Sequence, residues 1–179
     1  MNFRIGEKVV YPTHGVGIVE QIHNMPPAAA AVALVGHALE TAPQAYLLRI
    51  YSSSLRVMVP FTNAGSVGLR RVVRRQDVNQ VLRYLSAGDC QPAPDWKCRF
   101  KENTDKMRSG CLFRVAEVLK CLLLINRAKE LSFRERKMLE RARHLLISEL
   151  AVVSEITEAL AEASLSKALA EAQLKLLPN

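Results

Sequence analysis

The chain has 179 residues, 49% of them apolar and 6% aromatic, with 25 basic against 17 acidic side chains and a net charge of +8. That length fits one ordinary domain or two small ones with a largely aliphatic core. The sequence contains no apolar run long enough to span a bilayer and Met1 to Glu7 is unlike a secretory leader, so the expectation is a soluble, cytoplasmic protein.

The charge is unevenly placed. Residues 66–147 carry a net +10, whereas residues 1–65 carry +1 and residues 148–179 carry −3. A single basic block of this kind favours a domain that faces a polyanion.

In chain order, the first sixty residues read as strands. Lys8-Val9-Val10-Tyr11 is β-prone and stops at Pro12, and Gly15 and Gly17 punctuate a second run from Val16 to Ile22. A later pair, Tyr46 to Tyr51 and Leu55 to Pro60, is joined by Ser52-Ser53-Ser54, which is hairpin length. In its second strand Arg56, Met58 and Pro60 alternate to one face and Leu55, Val57 and Val59 to the other. Together these runs predict a small barrel of short strands. Between the two pairs, residues 23–44 hold Pro26-Pro27 and an alanine run. They are read as an insertion in a hairpin, either a short helix over Ala28–Leu39 or a loop.

Residues 65–74 read as a linker, after which the apolar period changes from two to 3.6. Val78, Val81, Leu82 and Leu85 predict a helix that ends near Gly88. A second helix starts at Trp96 behind an Asp95 cap and stops at Ser109-Gly110. A third, strongly apolar one runs through Leu112, Val115, Ala116, Leu119, Leu122 and Leu123. The fourth opens on Ser132-Phe133-Arg134-Glu135, a capping-box pattern. Its apolar half holds Met138, Leu139, Ala142, Leu145, Leu146, Leu150 and Val153, while Arg134, Arg136, Lys137, Arg141, Arg143 and His144 fall mostly on the other half. A last helix, Thr157 to Leu176, is alanine-rich and acidic. Strands followed by helices predict an α+β chain of two domains.

Enzyme signatures are absent: there is no P-loop, no GxSxG, no HExxH and no GxGxxG after a strand. Four cysteines, at 90, 98, 111 and 121, form no CxxC pair, and four histidines lie scattered away from metal-ligand spacing. No catalytic residue, metal or cofactor is expected, and the cysteines are expected as free thiols. Lys97 and Arg99 beside Cys98 predict a lowered thiol pKa there.

Trp96, the single tryptophan, shares a helix face with Phe100 and Met107. Two readings stand open for it. It anchors a core, or it wedges against a nucleobase from a helix N-terminus rich in Lys97, Arg99 and Lys101.

Several motifs in this order resemble a known family. They are Gly6-Glu7-Lys8-Val9-Val10-Tyr11-Pro12, His14-Gly15-Val16-Gly17, Tyr46 to Ile50, Arg56 to Pro60, Val67-Gly68-Leu69-Arg70, Trp96 with Phe100, Ala116 to Leu119, and Leu131 through Ala151. The chain is similar to the CarD–CdnL family of bacterial RNA polymerase-binding transcription regulators. It departs from the family pattern at Cys98, where an arginine is usual, at Phe100, where a tyrosine is usual, and in the length of residues 23–44.

The resemblance implies a Tudor/SH3-like β-barrel over residues 1–64, with the 23–44 insertion, and a compact all-α domain over residues 75–179. It implies that the barrel docks by its sheet edge on the RNA polymerase β subunit through Leu47, Leu48, Arg49, Arg56, Met58 and Pro60. It further implies that the helical domain lies on promoter DNA at the upstream edge of the bubble, in the minor groove and largely without sequence preference. There Trp96, Lys97, Arg99, Lys101, Arg136, Lys137 and Arg141 are the expected contacts, and the open complex is stabilised. The protein is expected to be a monomer. The alternative is an adaptor whose helical domain recruits another protein, and a more distant one is a redox sensor using Cys98 or Cys111.

Overall fold

The computed structural model describes residues 2–12, 14–24, 44–53, 55–87, 89–93 and 95–176. Within them the β-prone runs pair into an antiparallel sheet of β1 (Lys8–Tyr11), β2 (Gly15–Asn24), β3 (Gln44–Ile50), β4 (Arg56–Pro60) and β5 (Arg70–Arg71). The strand order is β4-β3-β2-β1-β5, so β4 is an edge strand. Tyr46 and Leu48 of β3 point to one face and join Phe3, Val9, Val19, Val59, Ala64 and Leu69 in a small core. Full burial of a Val, Leu or Phe side chain among them contributes about 1.5–3 kcal/mol.

Two glycines of this unit are required by geometry. A Cβ on Gly17 would lie 2.6 Å from the Arg49 carbonyl oxygen, so a side chain there would push β2 and β3 apart. Gly68 has φ +75°, and it turns the chain so that Leu69 enters the core and Arg70 and Arg71 pair with Val10 and Val9. The expected linker, 65–74, therefore gives its middle to the sheet. The chain divides into units 1–71 and 72–179.

Strands β2 and β3 pair as far as Asn24 with Gln44, which brings the two ends of the expected insertion together. The helix-or-loop alternatives for residues 28–39 lie outside the described residues.

The second unit is helical: α1 (Arg75–Ala87), α2 (Trp96–Arg108), α3 (Leu112–Ala128), α4 (Phe133–Ser154) and α5 (Glu158–Glu171). Helix α3 is buried around most of its circumference, as suits its nearly continuous apolar run, and α1, α2 and α4 all pack on it. Helix α5 closes the bundle against α1 and α4. Leu119, Leu122, Leu146 and Leu150 lie at the centre of this core. Two starts are capped as the sequence predicts, with Asp95 accepting from Cys98 N at 2.9 Å and Ser132 and Glu135 forming the full capping box, and Thr157 caps the last helix by accepting from Leu160 N. Such caps contribute typically about 1 kcal/mol each. The last helix is shorter than expected and ends at Glu171, with Gln173 at φ 56° turning the chain.

Candidate docking edge and nucleic-acid interface

The sheet site follows from the period of two. On β3, Leu47 and Arg49 point away from the core, and on β4 so do Arg56, Met58 and Pro60. The register sets Leu47 opposite Met58, Arg49 opposite Arg56, and Ala45 opposite Pro60. Five of the six expected residues thus share one face beside the β4 edge, with Met58 53% exposed. An edge strand presents unpaired backbone groups to a partner, and side chains on alternate positions supply selectivity. Leu48 is the exception. It is 0% exposed and belongs to the core, because neighbouring residues of a strand face opposite ways.

The sequence reading overlooked Glu20, which sits where the β2–β3 register shifts. Its carboxylate accepts from Arg49 Nε at 2.6 Å and Arg56 Nε at 3.0 Å, so one acid sets both arginines on this face. These bonds, that from Arg49 foremost, hold the Glu20 carboxyl below its ordinary pKa. Arg49 also stands 6.0 Å over the Tyr51 ring.

The helical site is built at the first turns of α2 and α4. The buried stripe of α2 is Arg99, Asn103 and Met107, spaced by four. Trp96 lies on the same line but one turn earlier, where the packing has run out, and it is 56% exposed. Phe100 is half-buried. The open choice for Trp96 is therefore settled against a core anchor in this fold.

Arg99 is the second correction. It is 5% exposed, with Nη1 donating to the Ala93 carbonyl at 2.7 Å and Nη2 to Glu135 Oε1 at 3.1 Å. A guanidinium so placed braces the helix ends from within and is not presented to phosphate. Glu135 in turn accepts through Oε2 from Ser132 N at 3.1 Å and Ser132 Oγ at 2.7 Å. Burial raises its pKa, but the Ser132 bonds and the Arg99 pair together outweigh that and hold it below the ordinary value.

This brace brings the N-terminal ends of two helices together around a cleft of about 790 Å³. Trp96 and Phe133 both line it, with Lys129, Glu130 and Arg134. Phe133 is 71% exposed and went unnoticed in the sequence, although it lies well off the α4 apolar stripe. Each aromatic carries a cation: Lys97 Nζ is 6.0 Å from the Trp96 ring centroid and Lys137 Nζ 5.3 Å from that of Phe133. Lys101, Arg136 and Arg141 are exposed along the same two helices. Arg136 pairs with Glu130 at 2.8 Å, and Arg143 turns instead to Glu162 of α5. Two exposed rings among cations and helix N-termini are chemically suited to stacked bases and phosphate.

Cys98 is exposed, but its thiol pKa is raised rather than lowered, because the hydrogen bond and negative charge of the Asp95 carboxylate outweigh the opposing charge of Lys101. Among the described residues no group of three or more His, Cys, Asp or Glu is placed to hold a metal ion, and no helix is long and apolar enough to cross a membrane.

Known proteins share this two-part arrangement. The family pattern described as "CarD-like/TRCF RID domain" matches residues 3–73, and "CarD, C-terminal domain" matches residues 80–166. The chain is also similar to "Putative transcription factor YdeB" of Bacillus subtilis (strain 168), with 35% identity over 156 residues that cover 87% of this chain and 95% of that one. Both units and nearly the whole length being accounted for, the chain belongs to the CarD–CdnL family of transcription regulators.

Proposed function

We propose that this protein is a two-handed adaptor of transcription initiation. Its sheet unit docks on the RNA polymerase β subunit through the β4 edge and the face of Leu47, Arg49, Arg56, Met58 and Pro60. Its helical unit lies on promoter DNA at the upstream edge of the bubble, with Trp96 against an unstacked step in the minor groove. Lys97, Lys101, Arg136, Lys137 and Arg141 neutralise phosphate there. The chain works as a monomer, in the cytoplasm where the polymerase is, and it slows collapse of the open complex.

The observation that carries the reading is the exposed Trp96, flanked by cations and braced from behind by Arg99 and Glu135. A large ring held half out of a stable bundle has a cost in water that a stacked base removes. Cationic neighbours supply affinity without sequence preference.

The test is a fork-junction binding and footprinting assay with purified polymerase and the full chain. Protection at the upstream fork that depends on both polymerase and this protein is the expected result. Polymerase binding without any change at the DNA would support recruitment of another protein instead.

A further inference from the structure

Phe133 has no task that the stability of the helical unit explains. It is the first residue of α4, directly after the Ser132 cap, and it is not among the residues of that helix that enter the core. The capping box is complete with Ser132 and Glu135, and the apolar residue that closes this corner is Leu131, 4% exposed. A single exposed ring on a surface is ordinary. Phe133, however, shares one cleft with a second exposed ring, Trp96. At about 790 Å³ that cleft has the size of a small-ligand site.

The charges of the cleft select what the rings can meet. Its two carboxylates are both engaged within the unit: Glu130 accepts from Arg136 at 2.8 Å and Glu135 from Arg99 at 3.1 Å. Lys129 and Arg134 are exposed on the same lining, and among the described residues no acid pairs with either. Lys97 and Lys137 set a further cation beside each ring. Flat apolar faces among cations match a ligand that is itself a ring on an anionic backbone. An apolar peptide would leave the cations unused, and an acidic one would leave the rings unused.

We propose that this cleft binds an unpaired nucleotide of single-stranded DNA, with Phe133 as a second stacking residue beside Trp96 and with Lys129 and Arg134 on the phosphates. The inference rests on the DNA reading of the helical unit and deepens it: Trp96 meets the duplex at its fork, and Phe133 receives the strand that has left it. A base inside a duplex has both faces covered by its neighbours, so only an unpaired one offers a free face to a further ring. The affinity that Phe133 supplies is therefore confined to single strands, whereas that of the cations extends to any phosphate backbone.

The test titrates the full chain into a labelled short oligodeoxythymidine, and into the same strand paired with oligodeoxyadenosine. Anisotropy of the label reads affinity, and quenching of Trp96, the single tryptophan, reads contact at the cleft. The expected result is that the single strand quenches Trp96, and that Phe133→Ala binds it about 5- to 150-fold more weakly than the native chain while binding the duplex equally well. Phe133→Tyr keeps a ring and is expected to restore most of the affinity. Both variants are expected to melt like the native chain, since the ring is 71% exposed. Native affinity of Phe133→Ala for the single strand would overturn the inference and leave the DNA reading intact. Polyglutamate that displaces the labelled strand as effectively as unlabelled oligodeoxythymidine would overturn it too, because charge alone would then fill the cleft. A native chain that binds neither DNA would also overturn it, and fork protection with polymerase then decides whether the DNA reading falls as well.

Discussion

The Arg99 guanidinium meets the Glu135 carboxylate at 3.1 Å in the interior, and the same carboxylate closes the capping box of α4. One acid therefore ends one helix start and ties it to another. The pair lines the same cleft as Trp96, so the interface is positioned by a contact that is almost wholly buried.

Breaking that pair from one side leaves a buried charge without its partner. Arg99→Ala or Glu135→Leu is expected to destabilise the helical unit by about 3–5 kcal/mol. Urea unfolding of the full chain, followed by a probe in each unit, measures it. A loss below about 1 kcal/mol would mean that the two charges are not coupled as described.

Acid sensitivity follows from the same carboxylate. Glu135 has its folded-state pKa below the ordinary 4.5, because its hydrogen bonds outweigh the opposing effect of burial. Its contribution is thus complete above the unfolded value and is lost as pH falls through the depressed folded value. Glu7 and Glu20 are lowered too, by Arg71 and Arg49 first, but on a solvated surface where such pairs contribute little. Stability of the helical unit measured from pH 6 down to about pH 3 is expected to fall more steeply in the native chain than in Glu135→Gln. Equal slopes would count against the assignment.

On the sheet, neighbouring residues of β3 are expected to fail differently. Leu48→Ala opens a cavity in a small core and is expected to cost about 2–5 kcal/mol. Met58→Ala and Leu47→Ala lie on the outer face and are expected to leave melting nearly unchanged while weakening binding to a polymerase β fragment. A thermal melt beside a pull-down separates the two classes. Normal binding by Met58→Ala and Leu47→Ala together would move the docking surface elsewhere.

Much of this was legible in the sequence, for identifiable reasons. The helices show because their apolar period is regular, and α4 shows best because Ser132 and Glu135 mark its start. The β3–β4 hairpin and its outward face follow from strict alternation, which also places Leu47 and Leu48 on opposite sides. Arg99 was not legible as an interior residue. Its partner lies 36 residues away, and a cation in a polar helix gives no local sign of burial. Trp96 fits a buried stripe by angle alone, and only the end of the packing surface shows that it is exposed. Phe133 was hidden by the capping box, which draws the eye to its polar neighbours.

Charge and wedge act through different physics, so their variants are expected to part company. Lys137→Ala and Arg141→Ala are each expected to reduce the salt dependence of fork-DNA binding by about one unit in log affinity against log salt. Trp96→Ala removes no charge and is expected to keep the native slope. Anisotropy titrations at several salt concentrations measure this. A slope unaffected by either cation would place phosphate contact on another face.

The account rests most on Trp96, and one paired measurement tests it. Trp96→Ala is compared with the native chain by thermal melting and by the lifetime of open promoter complexes. The expected result is an unchanged melting temperature, since the ring is 56% exposed, with open complexes that decay about 5- to 150-fold faster. An unfolded helical unit, or a native lifetime in a well-folded variant, would contradict it.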